Sequence, residues 1–249
     1  MIVVEDVHKT YRGGGNGEVA AVQGVSFRCE PGRVFALLGP NGSGKTTLLR
    51  IISTLMKADF GTVEVAGQNV REQGAEVRKH LGFLTGTAGL HEKLSPLESL
   101  EFFGRLQGIK GKLLTERISA LTEQFELGEF LKRPSGRLSM GQKQRVMIAR
   151  TLIHDPGVVV FDEATTGLDV LAAKALTDLI RHCREEGKTV LFSTHIMGEV
   201  SMLADDVTIF HHGKQVYLGT FEDLKSQQVE STLEDEFVRL LTSEEVADA

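Results

Sequence analysis

The run Gly39-Pro40-Asn41-Gly42-Ser43-Gly44-Lys45-Thr46 carries the pattern G-x-x-x-x-G-K-[ST]. Glycines without a Cβ let successive backbone N–H groups converge on an anion, and a helix beginning near Lys45 adds the positive end of its dipole. Lys45 then supplies a cation for the β- and γ-phosphates of a nucleotide, and Thr46 a hydroxyl for Mg²⁺. Thr47 is counted with the loop as a nucleotide contact. The competing reading is a glycine-rich strand-to-helix turn whose lysine is merely solvated. The context favours the phosphate loop, because the apolar run Val34 to Leu38 precedes it and a helical pattern follows.

A second group sits at Val158-Val159-Val160-Phe161-Asp162-Glu163, where an apolar strand ends in two carboxylates. Ligands bind at the carboxyl ends of parallel strands, and successive strand residues point to opposite sides, so the two acids can do different work. Asp162 suits Mg²⁺ held through its water shell, and Glu163 suits general-base attack on a water beside the γ-phosphate. Alone, such a pair is usually a solvated strand end; the phosphate loop reverses those odds. Leu138-Ser139-Met140-Gly141-Gln142 opens a third segment with two open readings. Ser139 with Gln142 three residues later is a capping box, and equally the serine hydroxyl and the helix N-terminal N–H groups of Ser139, Gly141 and Gln142 could form a second anion site.

The elements that must position these groups follow from the local pattern. Strand character covers 2–11, 19–29, 34–38, 62–66, 81–84, 158–161 and 190–193, with a loop at 12–17 and a turn at 30–32. Helical period covers 45 to 55, 112–127, 140–154 and 169 to 186, and Ser95-Pro96-Leu97-Glu98 combines N-cap, first-turn proline and third-position glutamate at one more helix start. A parallel-sheet core interrupted by helices is the architecture this implies. The acidic tail, 233–249, is expected to hold one short helix and then fray.

Composition narrows the function classes. The 249 residues hold 28 Lys and Arg against 34 Asp and Glu, a net charge of −6 that argues against a general nucleic-acid binder. Apolar runs such as 34–38 fall far short of the roughly 20 residues of a membrane helix, so no segment is expected to span a bilayer. Cys29 and Cys183 lie far apart without C-x-x-C spacing, which points to a reducing cytosol.

On these motifs and their order, Lys45, Ser139, Asp162 and then a histidine, His195, after a strand, the chain resembles the ATP-binding subunits of ABC transporters over residues 2–225. The resemblance implies an α/β P-loop NTPase: a RecA-like parallel-sheet core, an N-terminal antiparallel β subdomain, a helical subdomain inserted at 87–155, and an acidic extension at 226–249. It implies that Leu138 to Gln142 is the signature segment, with Met140 in place of a glycine, and that Tyr11 stacks on adenine. It further implies that Gly167-Leu168-Asp169 touches the partner's site and that His195 contacts the γ-phosphate. ATP and Mg²⁺ would be bound in a head-to-tail homodimer and hydrolysed to power export by a separately encoded integral membrane subunit, on the cytoplasmic face of the membrane. Two departures from the family pattern stand out. Ala164 follows Glu163 where proline is usual, and Gly86 stands where a glutamine usually ends the strand. Thr85-Gly86 resembles the sodium-export and drug-export subunits, and the loop from Gly86 to Leu94 is expected to contact the membrane partner. Two rivals fit less well. A chromosome clamp needs a long coiled coil between the phosphate loop and the signature, and a small-molecule P-loop kinase does not account for Ser139 or His195.

Overall fold

The strands at 34–38, 158–162 and 189–194 are buried along their whole length, and the computed structural model explains why. It describes residues 1–13, 17–85, 89–166 and 170–247; Gly86 and the segment Gly167-Leu168-Asp169 lie outside them. Strands β1 (Ile2–Gly13) and β2 (Gly17–Cys29) pair antiparallel, and β3 (Val34–Leu38) leads through the phosphate loop into α1 (Lys45–Ile52). Then come β4 (Phe60–Val65), β5 (Gln68–Asn69), α2 (Gly74–His80) and β6 (Leu81–Thr85). Three helices, α3 (Pro96–Leu106), α4 (Gly111–Gln124) and α5 (Met140–Leu152), precede β7 (Val158–Asp162). The chain closes with α6 (Val170–Glu185), β8 (Thr189–Thr194), α7 (Met197–Leu203), β9 (Asp206–His211), β10 (Lys214–Thr220), α8 (Phe221–Ser226) and α9 (Leu233–Ala247).

The sheet runs β10-β9-β3-β8-β7-β6, parallel except for the antiparallel edge strand β10. A second, antiparallel sheet runs β2-β1-β4-β5. Along β3, Val34, Ala36 and Leu38 face one core with the helices α3 to α6, while Phe35 and Leu37 face another with α1 and the antiparallel sheet. The same alternation divides Val159 and Phe161 from Val158 and Val160 on β7. Burial on both faces produces the continuous apolar runs, since a strand with one wet face would alternate.

Several boundaries differ from the sequence expectation. The pair β1 and β2 extends to Gly13 and from Gly17. Helix α1 stops at Ile52 rather than near 55, where Thr54 turns left-handed at φ 62°. Helix α4 ends at Gln124, and Glu126 turns left-handed at φ 52°. The helices α2, α7 and α8 and the strands β5, β9 and β10 add to the elements expected from the sequence. The tail is the largest correction: its helix, α9, continues through Ala247 where a short helix followed by a frayed end is expected from the sequence. Leu233, Phe237, Leu240 and Leu241 pack on the core, and the buried Glu236 carboxylate accepts the N–H groups of Val229 and Glu230 while pairing with Arg239.

Candidate active site

The strand order brings four carboxyl-terminal strand ends together. Register places Leu38 opposite Thr194, Asp162 opposite Ser193 and Thr85 opposite Asp162, so β3, β8, β7 and β6 finish at one edge. The phosphate loop leaves β3 at that edge. Gly44, the N-cap of α1, has φ 108°, and a Cβ there would lie 2.1 Å from the Ala21 carbonyl of β2. A Cβ on Gly39 would lie 2.5 Å from the Phe210 carbonyl of β9. Both glycines are therefore required by close backbone approach as well as by loop geometry. Helix α1 has no side-chain cap at its N-terminus, which leaves its first N–H groups available to an anion. The Ser43 hydroxyl is buried without a partner, an orphaned donor inside the loop.

Lys45 is almost fully buried. Its Nζ donates to the carbonyls of Gly39 at 2.7 Å and Pro40 at 3.0 Å, and lies 3.5 Å from Glu163 Oε1. Burial holds its pKa below the ordinary lysine value, with Glu163 and Asp162 pulling partly the other way. Thr46 Oγ1 donates to Asp162 Oδ1 at 3.2 Å. Glu163 takes a left-handed backbone, φ 46°, directly after the strand ends, and its Oε1 lies 3.8 Å from His195 Nδ1. Lys45, Thr46, Asp162, Glu163 and His195, separated by up to 150 positions in sequence, thus share one cluster.

Tyr11 joins from the side. Its hydroxyl lies 3.2 Å from Thr47 Oγ1 and donates to Met56 Sδ at 3.2 Å, and a cleft of about 690 Å³ opens between Tyr11, Arg12, Glu18, Met56 and Asp59. The Asp59 carboxylate accepts the Thr10 N–H and the Lys9 ammonium, which fixes the end of β1 beside that cleft.

The signature segment stands apart from the cluster. Ser139 Oγ accepts the Gln142 N–H at 3.2 Å, and Gln142 Oε1 accepts the Ser139 N–H at 3.0 Å, so the capping-box reading is the arrangement present. Ser139, Gly141 and Gln142 line their own cleft of about 510 Å³, with Glu126, Phe130 and Arg145. Ser139 is exposed, and a Cβ on Gly141 would meet open space. The segment is linked to the edge through α5, where the buried Gln144 reaches the Ala164 carbonyl at 3.5 Å. Arg150 of the same helix donates to the Gly89 carbonyl and lies over the Phe103 ring at 4.7 Å, tying α5 to the segment that begins at Gly89.

Two groups at the edge escape sequence reasoning. Ser193 Oγ donates to Asp162 Oδ1 at 2.8 Å and accepts the Glu163 N–H at 3.0 Å. Thr194 Oγ1 donates to Glu199 Oε2 at 2.6 Å and accepts the Ile196 N–H, which shapes the turn that carries His195. Their signal is two hydroxyls closing an otherwise apolar run.

The sequence profile described as ABC transporter matches residues 22–166, more than half of the chain. The chain belongs to the ABC transporter family. It is 42% identical to the ABC transporter ATP-binding protein NatA of Bacillus subtilis, over 83% of this chain and 84% of that protein. It is 35% identical to the daunorubicin resistance ATP-binding protein DrrA3 of Streptomyces coeruleorubidus, over 91% of this chain and 70% of that protein. Among solved structures, an ATP-binding subunit of an ABC transporter superposes with a TM-score of 0.86 at 27% identity, covering 96% of this chain and 99% of that one. The dimeric bacterial ABC transporter cassette MJ0796 superposes with a TM-score of 0.79 at 27% identity, covering 88% and 98%. This ABC transporter chain is an ATP-binding subunit and an ATPase. Among its described residues no helix is long and apolar enough to cross a membrane.

Proposed function

We propose that ATP is hydrolysed between two copies of this chain arranged head to tail, with the cluster around Lys45 of one facing Ser139, Gly141 and Gln142 of the other. The observation that carries this reading is the split between the two groups: cation, carboxylates and histidine gather at the sheet edge, while the signature segment lines a separate, open cleft. In this reading the residues from Gly39 to Gly44 cradle the phosphates, the N–H groups of Asn41 to Gly44 donating to them, Lys45 neutralises their charge, Thr47 contacts the nucleotide and Tyr11 stacks on the adenine. Asp169, which the family resemblance assigns to the other copy's site, lies outside the described residues.

The donor set suits Mg²⁺. Thr46 Oγ1 and Asp162 Oδ1 are hard oxygens 3.2 Å apart, and among the described residues no group of three or more His, Cys, Asp and Glu is placed to hold a metal alone. A cation that shares its coordination between few protein oxygens, phosphates and water fits that pair. Such an ion would supply charge neutralisation on the phosphate oxygens. Glu163 accepts the proton of the attacking water, whose oxygen bonds to the γ-phosphorus as ADP leaves, and His195, 3.8 Å from Glu163, holds the γ-phosphate oxygens.

The energy released would drive export by a separate integral membrane subunit, with this chain peripheral on the cytoplasmic face. Phe102 and Leu106, one helical turn apart on α3 and 57% and 68% exposed, give an apolar face for that contact. Sedimentation of Glu163→Gln tests the assembly. It should be monomeric without nucleotide and dimeric at saturating ATP, because a ligand held in the interface stabilises the dimer. A monomer at saturating ATP would refute the shared site.

A further inference from the structure

We infer that Ser193 is a positioning residue for hydrolysis, one hydroxyl that sets both the carboxylate plane of Asp162 and the backbone of Glu163. The inference rests on the roles given to those two acids above. Ser193 closes the apolar run Val190 to Phe192 on β8, is 3% exposed, and stands directly opposite Asp162 in the parallel ladder. A serine hydroxyl has one proton, and here it goes to Asp162 Oδ1 at 2.8 Å while a lone pair receives the Glu163 N–H at 3.0 Å. The two bonds together fix the hydroxyl rotor.

Each partner needs what it receives. Glu163 holds a left-handed backbone at φ 46°, a region that a residue with a Cβ occupies only when its surroundings dictate it, and the Ser193 acceptor dictates the N–H direction there. That direction sets where the side chain leaves toward Lys45 and His195. Asp162 Oδ1 also receives Thr46 Oγ1, at 3.2 Å. Once Thr46 turns its hydroxyl oxygen to a bound cation, Ser193 is the anchor that continues to hold Oδ1. Groups that orient a metal-binding carboxylate typically change metal affinity or activity by about 10- to 100-fold when removed.

The test uses the full chain and the variants Ser193→Ala, Ser193→Thr and Asp162→Asn. Three quantities are read: ADP affinity in the presence of a chelator, Mn²⁺ affinity of the ADP-loaded chain from the free-ion EPR signal, and kcat and KM for ATP. In Ser193→Ala, ADP affinity without metal should stay within about twofold of wild type, while Mn²⁺ affinity and kcat each fall about tenfold or more. Ser193→Thr, which keeps donor and acceptor, should return both to within about threefold of wild type. Wild-type Mn²⁺ affinity and kcat in Ser193→Ala overturn the inference. So does a loss of kcat that tracks only the folded fraction, followed by thermal melting, with Mn²⁺ affinity intact. Asp162→Asn separates the two levels of the reading. Unchanged Mn²⁺ affinity in that variant shows that the role of Asp162 has failed, and the role of Ser193 falls with it. Lost Mn²⁺ affinity in Asp162→Asn with an unaffected Ser193→Ala overturns Ser193 alone.

Discussion

Lys45 has an anion of its own chain beside it, and that contact predicts a gain in nucleotide affinity from a substitution that also stops turnover. Lys45 Nζ lies 3.5 Å from Glu163 Oε1, with the lysine side chain 3% exposed and the glutamate 27%. At an effective dielectric near 20 the gross attraction is about 5 kcal/mol. Solvent at the glutamate and the hydration both groups give up reduce the net value of such a pair to about 1 kcal/mol. A phosphate must displace or share this contact, and it also meets the glutamate's like charge. Glu163→Gln removes the nearest competitor and keeps the shape, leaving the buried cation with the Gly39 and Pro40 carbonyls and the more distant charge of Asp162. ADP, which cannot be hydrolysed, should therefore bind about fivefold more tightly to the variant, the equivalent of about 1 kcal/mol. Titration calorimetry with ADP measures this apart from catalysis, and steady-state turnover of ATP should fall at least about a hundredfold in the same variant. Equal or weaker ADP affinity would refute the claim that Glu163 competes with the phosphates for Lys45. Near-normal turnover would remove Glu163 from the base role.

Ser139 should separate stability from assembly: Ser139→Ala loses the α5 cap and about 1 kcal/mol in thermal or denaturant unfolding, while Ser139→Asp restores the cap yet faces the partner's phosphates with a charge and should leave ATPase at the level of the alanine variant or lower. ATPase recovering with stability in the aspartate variant would mean that Ser139 acts as a cap alone. Glu236 anchors α9 with its carboxyl held down to about 2 from the ordinary 4.5, chiefly by Arg239 and then by the Val229 and Glu230 N–H groups, against an opposing effect of burial. A depressed folded pKa contributes stability that is complete above the unfolded value and lost as pH falls through the folded one. The difference in melting temperature between wild type and Glu236→Gln should accordingly be constant above pH 4.5 and shrink toward pH 2; a difference that persists unchanged at the acid end would show that α9 is held by packing instead. Phe102→Glu with Leu106→Glu should leave ATPase of the free subunit within about twofold while abolishing transport in the reconstituted complex, since both side chains are exposed and outside the cluster; wild-type transport would place the membrane contact elsewhere.

What the chain declares by itself is whatever has its cause within a few residues. The phosphate loop is legible because its glycines, lysine and threonine are contiguous and sit between an apolar run and a helix. The caps at Ser95 and Ser139 are legible because a capping box spans four residues, and both form in the structure. The five-residue apolar runs announce strands buried on both faces, and hence a parallel sheet. The family resemblance adds the order of the motifs, which no single motif carries. Long-range burial decided the rest. Strand order β3-β8-β7 is set by which faces the helices cover, and only that order brings Lys45, Asp162, Glu163 and His195 to one edge. The docking of α9 depends on a core its own sequence does not contain, so its acidic residues suggested a frayed end where Glu236 makes an anchor. Ser193 looked like the polar end of a strand. Its bonds to Asp162 and Glu163 exist because β7 and β8 are neighbours in register, a fact that belongs to the packed sheet and to no stretch of the chain alone.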